Sequence, residues 1–536
     1  MVLERIFYAQ APPPGASDRS GTGMTRLFLL LFIPLTLALA LDGALNMKWR
    51  MFHDYPTMAY YGFLMNSLHW VPYRDFVDMN MPGNHVFNAW AGRIFGYSDL
   101  GFRLLDMTVL ALLIASTALW LRRLGWKVAW AAMAAFTFLY FANGPIIALQ
   151  REYILLVPIS LSLWAATSGS VRPGPGARSF AVGLCFGAAF LIKPHVVLGL
   201  PIVFLLLVLE ERARRGSPGW FGSWMIGLAC LTGVGFLLPV GGMAFSLWRN
   251  GGLGPFIEMA RNYWPLYTRM TGGHEIVSAA ERTTYLWKSY WEFNGLQGLF
   301  TPAALGVFLM LANAPALRPR RRLVAALLLL TFVYSLYPVL AGKFWPYHWL
   351  VFLYFLCVLA ALCVVDQPGA TRRILKIFPY AAFLLAVFVQ PPMWRALAHQ
   401  VRGEVYYDEK IERGDAMAAF LRARLRPGDR VQPLDWTGGT HQAMLAVRAE
   451  LATPFLVDSC FYHDLSNPFI QRLRRRFLDS LQAAKPRFIL RVLKRDMPRG
   501  PDTTSHFLEL EEVLYTQYRP VAADLKLGYI IYERRP

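Results

Sequence analysis

Two short acidic motifs and a few cations are the residues in this sequence best suited to chemistry. The first motif is His53-Asp54-Tyr55-Pro56. It opens a stretch that continues through Pro72-Tyr73-Arg74-Asp75, Asp78, Met81-Pro82-Gly83-Asn84-His85 and Phe95-Gly96 to Arg103. The second is Gln150-Arg151-Glu152-Tyr153, set between two apolar runs. Lys193-Pro194-His195 ends another apolar run, and Lys343-Phe344-Trp345-Pro346-Tyr347-His348 separates two more. A carboxylate can accept the proton of an attacking hydroxyl and orient it. Cations can stabilise the charge that develops on a departing phosphate. Phosphate leaves as a stable anion, so that end of the reaction needs no strong general acid. The mixture suits a hydroxyl attacking a carbon that bears a phosphate leaving group. Each piece also has a plainer role. Arg151 and Glu152 can be an ion pair at a helix end, Lys193 a snorkelling cation, and Trp345 and Tyr347 interfacial aromatics.

The elements that must position these groups are membrane spans. Of the 536 residues, 55% are hydrophobic and 16% charged, against about 25% charged in an ordinary soluble domain. Apolar runs near 26–40, 103–121, 127–143, 153–168, 179–194, 195–210, 221–247, 295–314, 323–341, 348–366 and 377–395 predict about eleven transmembrane helices. The pair that meets at Lys193-Pro194-His195 can also be one broken helix. The first run reads as a span rather than a cleavable leader, because many spans follow it and no clear small-x-small site does. Residues 1–24, with Ala-Pro-Pro-Pro-Gly-Ala-Ser, read as a disordered tail.

Basic residues recur in alternate loops: Arg122, Arg123 and Lys127; Arg172 and Arg178; Arg212, Arg214 and Arg215; Arg318, Arg320, Arg321 and Arg322; Arg372, Arg373 and Lys376. The positive-inside rule puts these loops and the N-terminus in the cytoplasm. The large loops 43–102 and 248–294 and the segment 396–536 then lie outside. Segments 57–69 and 85–95 of the first loop can lie in the interface as amphipathic helices. The formal net charge of +20 sits mostly beside apolar runs. It points to anionic headgroups and orientation, not to nucleic acid.

The last 140 or so residues read as globular sequence. Helices are predicted at Asp415–Arg426 and Phe469–Ala484, and strands at Arg430–Trp436, Arg487–Leu493 and Gly528–Glu533, which makes a small α/β domain. No Gly-rich phosphate loop occurs there. The cysteines Cys185, Cys230, Cys357, Cys363 and Cys460 show no disulfide spacing and read as small hydrophobes.

The order Asp54-Tyr55, Pro72-Tyr73-Arg74-Asp75, Pro82-Gly83, Phe95-Gly96, Arg103 and Arg151-Glu152 resembles the GT-C superfamily of integral membrane glycosyltransferases. The likeness is greatest to the branch with lipopolysaccharide-core galacturonosyltransferases, lipid A aminoarabinose transferases and protein O-mannosyltransferases. It runs over nearly the whole chain and is most specific in 53–103 and 150–153. The resemblance implies a polytopic α-helical catalytic module over 25–395 and an extracytoplasmic α/β domain over 396–536, in a bacterial-type inner membrane. It implies inverting transfer of a monosaccharide from a polyprenyl-phosphate carrier to a lipid-borne, glycan-borne or protein acceptor.

On this likeness Asp54 and Glu152 are the catalytic carboxylates. Arg74, Arg151, Lys193, Lys343 and His348 are the donor-phosphate contacts. His53, Tyr55, Tyr73, Asp75, Asp78, His85, Arg103 and Tyr347 are the substrate contacts. Two positions depart from the pattern. His53 stands where many relatives have a second acid, and Met81 stands where relatives often have a lysine. A divalent ion occurs in some superfamily members; no cofactor is expected here, because Asp54 and Glu152 supply only part of a hard-cation shell. The alternatives are a lipid-linked glycan transporter and a polymerase or ligase that uses a pyrophosphate-linked oligosaccharide. No internal repeat supports the transporter.

Overall fold

The computed structural model describes residues 19–168, 174–215, 222–292, 297–312, 320–365, 373–388, 394, 397–398, 401–402 and 408–536. Most of the expected tail lies outside these residues, as do Arg172, Arg318 and Arg372. Within the described part a helix already runs over Arg19–Leu45, so helical structure begins before the expected boundary at residue 24.

Every apolar run of the sequence falls on helix over its described residues. Among the described residues five helical stretches are long and apolar enough to cross a membrane: Gly23–Lys48, Asp99–Leu121, Ser223–Arg249, Arg321–Ala341 and Pro346–Val364. Trp126–Ala142, Gly298–Leu311 and Ile377–Phe388 are shorter apolar helices. Burial sorts them by position. Leu350–Ala361 is apolar on every side and every residue in it is buried, as a central helix must be. It is ringed by Trp126–Ala142, Gln297–Ala312 and Arg321–Ser335. Ser223–Arg249 instead exposes Ile226, Leu231, Val234, Leu237, Phe245 and Trp248. An apolar face of that extent belongs in hydrocarbon. Cys230 lies on this helix and is exposed, unlike the buried Cys357 and Cys363. The segment around Lys193-Pro194-His195 is two helices, Pro175–Phe190 and Leu200–Arg215, joined by a 3-10 turn at Pro194–Gly199.

The first long loop contains two helices, Tyr55–Ser67 and Pro82–Phe95, packed together. The second exposes Val86, Trp90 and Ile94. Their spacing of four puts them on one face, as an interfacial helix requires. Tyr55–Ser67 differs from that expectation. It is buried over most of its length, because a helix of the C-terminal unit covers it.

That unit is a five-stranded sheet in the order β2-β1-β3-β5-β4. Its strands are β1 (Arg430–Leu434), β2 (Glu450–Leu451), β3 (Phe488–Val492), β4 (Tyr518–Asp524) and β5 (Tyr529–Arg534). β1 runs parallel to β2 and β3, while β5 is antiparallel to β3 and β4. The sheet is tied to the first loop by hydrogen bonds from Tyr60 Oη to the Ala449 carbonyl (2.6 Å) and from the Val77 amide to the Pro454 carbonyl (2.7 Å). Thr57 Oγ1 lies 2.7 Å from His441 Nδ1. The amide of Ile276 bonds to the Arg499 carbonyl, and that of Arg499 to the His274 carbonyl, both at 2.8 Å. The long loops and the sheet are therefore one wall around the site.

Candidate active site

Both acidic motifs are entered through a residue with left-handed backbone. His53 has φ 57° and Leu149 has φ 52°. Neither is glycine, and such strain persists only where the surroundings over-determine it. The strained turns carry the two motifs to one region, with Asp54 at the cavity wall. Asp54 and Arg151 line a cavity of about 480 Å³ together with Lys193, Lys343, Tyr347 and His348. Glu152 lies behind this wall, fully buried.

The two acids are in different states. Asp54 Oδ2 is 3.6 Å from Arg151 Nη2, and Oδ1 is 3.8 Å from His53 Nε2. Both are too long for hydrogen bonds, and only Arg151 brings a permanent charge, since burial holds the His53 imidazole toward its neutral form; the carboxylate keeps lone pairs for the cavity. Burial works against its ionisation, but His53 and Arg151 outweigh burial and hold it below the usual carboxylate range. Glu152 is engaged through one oxygen, while its buried Oε2 has no hydrogen-bond partner among the described residues. Its Oε1 accepts from Tyr337 Oη at 2.8 Å, sits 3.2 Å from Lys193 Nζ and lies 3.6 Å from His348 Nε2. Burial opposes its charge too, yet the surrounding cations, Lys193 foremost, bring it down to about 2. Asp54 is an available base; Glu152 is the counter-ion that holds Lys193.

The cations also divide. Arg151 is pinned from the first loop by the side chain of Asn80, which in turn donates to Asp78 at 2.9 Å. His85 Nε2 lies 3.1 Å from that carboxylate, and Tyr73 Oη donates to the Asn80 carbonyl at 2.5 Å. Asp78, His85 and Tyr73 are thus the scaffold that places Arg151. Lys343 is 1% exposed and donates to the carbonyls of Met270 (2.6 Å) and Tyr267 (3.2 Å), with its Nζ 4.0 Å from the centre of the Tyr267 ring. Among the described residues no carboxylate comes within ion-pair reach of it. Burial, with Arg282 and Lys193 adding repulsion, pushes its ammonium down to about 7. His348 Nδ1 faces the Lys343 carbonyl at 2.8 Å. A carbonyl only accepts, so Nδ1 carries the proton and Nε2 points at Glu152. The Tyr347 ring packs between Trp345, His348 and His53.

Four expected residues stand apart. Arg74 is half-exposed and forms a bidentate pair with the adjacent Asp75 at 2.8 and 2.9 Å; neither lines the cavity. Tyr55 packs on Phe102 in the core. Arg103 is fully buried against Asp106 and the Trp49 ring. Met81 is buried and lines the cavity as an apolar side chain, so the cations there are Arg151, Lys193, Lys343 and Lys410. Sequence reasoning missed Asn80, Tyr337, Tyr267, His274 and Trp436. The run Tyr263-Trp264-Pro265-Leu266-Tyr267 carried a signal in its aromatic density, whereas Tyr337 is one tyrosine in an apolar span. Among the described residues no group of three or more His, Cys, Asp or Glu side chains is placed to hold a metal ion.

The Pro82-Gly83 pair has a steric reason. The Gly83 amide donates to the Leu191 carbonyl at 2.8 Å, and a Cβ on Gly83 would stand 2.6 Å from that oxygen. The glycine lets the first loop seat directly on the turn that carries Lys193. Gly83→Ala must push this turn away, at about 1–3 kcal/mol. The expected result is a lower unfolding temperature, read by thermal unfolding.

No protein-family model matches the sequence, and no curated protein does. Solved structures do match. ArnT from Cupriavidus metallidurans bound to undecaprenyl phosphate superposes with a TM-score of 0.57 at 14% identity, over 95% of this chain and 98% of that one. The apo state of ArnT gives 0.57 and 14% over 96% and 98%. A likeness at this identity speaks to the fold. The chain thus shares the ArnT fold over 95% of its length, and with its long apolar helices is a polytopic helical membrane protein.

Proposed function

We propose that the protein moves a monosaccharide from a polyprenyl-phosphate carrier to a hydroxyl of a cell-envelope acceptor, with inversion, on the extracytoplasmic face of the inner membrane. One observation carries the reading. A single cavity at the meeting of the long loops and the C-terminal unit is lined both by an available carboxylate, Asp54, and by a buried lysine, Lys343, with no carboxylate partner among the described residues. The ArnT fold, solved with undecaprenyl phosphate, supports a polyprenyl phosphate as the lipid.

In this mechanism the acceptor hydroxyl attacks the anomeric carbon from the face opposite the phosphate. Asp54 takes the hydroxyl proton as the new C–O bond forms. The bond from the anomeric carbon to the phosphate oxygen breaks, and its electron pair leaves with the polyprenyl phosphate. Arg151, Lys193 and Lys343 stabilise that charge in a site largely shielded from water. Glu152, Tyr337 and His348 are positioning residues for Lys193. Every charge in the sequence of steps is met by a side chain of this protein.

Lys343 gives the reading a pH signature. Its cation is present below about 7 and is lost as pH rises through that value. A phosphodiester binds the protonated form, so donor KM is expected to rise about tenfold per pH unit above that point. Lys343→Arg, charged at every accessible pH, is expected to flatten the profile; an unchanged slope contradicts the role.

The test of the function is transfer by the purified protein in proteoliposomes, offered a panel of polyprenyl-phosphate monosaccharides and envelope acceptors. Transfer of one sugar with inverted configuration is the expected outcome. Use of pyrophosphate-linked oligosaccharides alone, or movement of intact donor across the bilayer without transfer, overturns it.

A further inference from the structure

The C-terminal sheet has a crossover point, and it faces the transfer cavity. The chain leaves β1 through the helix Thr440–Val447 to β2 on one side, and leaves β3 through the helix Leu508–Gln517 to β4 on the other. Two parallel neighbours whose connections depart in opposite directions leave a crevice at their carboxyl ends, where open α/β sheets bind ligands. Here the residues beyond those ends are Asp435–Gly438 and Lys494–Pro498. They line a pocket of about 310 Å³, at the low end of the roughly 300–1,000 Å³ usual for small-ligand sites. Trp436, Asp496, Lys410 and His274 line both this pocket and the cavity that holds Asp54. The pocket and the cavity that holds Asp54 therefore share a wall.

The lining chooses the ligand. It carries three basic side chains, Lys410, Lys494 and Arg495, and three acidic ones, Asp435, Asp458 and Asp496. That balance does not suit a phosphate group. Part of it is internal. Arg495 pairs with Asp458 at 2.6 and 2.7 Å, and Asp435 accepts from the Gly438 amide and the Thr440 hydroxyl at 2.9 and 2.8 Å. These bonds set the shape of the pocket. Asp496 remains exposed at the rim, and the half-buried Trp436 ring stands 4.7 Å from the ring of His274. An indole face with a carboxylate beside it matches a sugar ring, which offers a C–H face and hydroxyl donors.

We infer that this crevice is the subsite for an uncharged sugar unit of the acceptor, which makes the acceptor a glycan or glycolipid. The inference rests on the proposed transferase activity. It is tested with the full-length protein in proteoliposomes, its polyprenyl-phosphate sugar donor, and either an envelope glycolipid extract or the envelope protein fraction as acceptor. Trp436→Ala and Asp496→Asn are each expected to raise the glycolipid concentration for half-maximal transfer at least tenfold, with donor KM moving less than twofold. Asp496→Asn changes an exposed side chain, so it remains informative if Trp436→Ala fails to fold. Wild-type transfer with an unchanged acceptor dependence in Asp496→Asn overturns the subsite and leaves the transferase reading standing, as does transfer to the protein fraction alone. A wild type that transfers to neither overturns both.

Discussion

Asp54→Asn is expected to lower sugar transfer by about 10³-fold or more while donor binding changes little. The amide has nearly the shape of the carboxylate but cannot take the proton of the attacking hydroxyl. Loss of a positioned general base costs typically 10²–10⁴-fold. The upper part of that range applies because Asp54 is also a charge in a buried cluster. Arg151 and His53 hold it below the usual carboxylate range against burial, so the loss should persist at neutral pH. Arg151 is held independently by Asn80, and Lys343 is held by two carbonyls. Donor KM should therefore stay within a few fold. Steady-state kinetics separates the two quantities.

Glu152→Gln should act by a different route. Glu152 is the counter-ion of Lys193, 3.2 Å away, and is itself fully buried. Removing one partner of a buried pair costs about 3–5 kcal/mol, because the other charge is left uncompensated. Here Lys193 can respond by shedding its proton, which limits the loss of stability but removes a cation from the phosphate site. The expected phenotype is a lower unfolding temperature with a donor KM raised at least tenfold. The double variant Glu152→Gln/Lys193→Met should recover stability and not activity. That combination separates a positioning role from a proton-transfer role. If Glu152→Gln leaves both stability and donor KM unchanged, the assigned role is wrong.

The helices were legible because apolar runs declare themselves. Each one falls on helix over its described residues, and what the sequence left open was where the ends fall. Span 153–168 begins as a single turn, Arg151–Ile154, before Leu156–Thr167 continues, and no periodicity marks that break. The C-terminal strands β1, β3 and β5 carry β-branched and apolar residues and were readable. β2 is two residues long, and β4 is an edge strand with Pro520 and exposed Arg519, a composition that reads as loop. The acids and lysines of the site were legible as residue types held at one end of the helices. Their division of labour was not. Nothing in Arg151-Glu152 says which side chain faces the cavity, because that depends on Asn80 and Tyr337, distant in sequence. Arg74 shows the converse. It lies in the most distinctive motif of the chain, yet its neighbour Asp75 satisfies it outside the cavity. The contribution of the C-terminal unit to the cavity, through Trp436 and Asp496, follows from docking of the sheet on the first loop, which no local pattern records.

The central claim is that Asp54 starts transfer from a donor held by separate cations. The most direct measurement is a single turnover with stoichiometric polyprenyl-phosphate sugar and excess acceptor, on wild type and Asp54→Asn side by side. The account predicts that both proteins bind the donor and only the wild type consumes it. Equal consumption by the two would contradict the account.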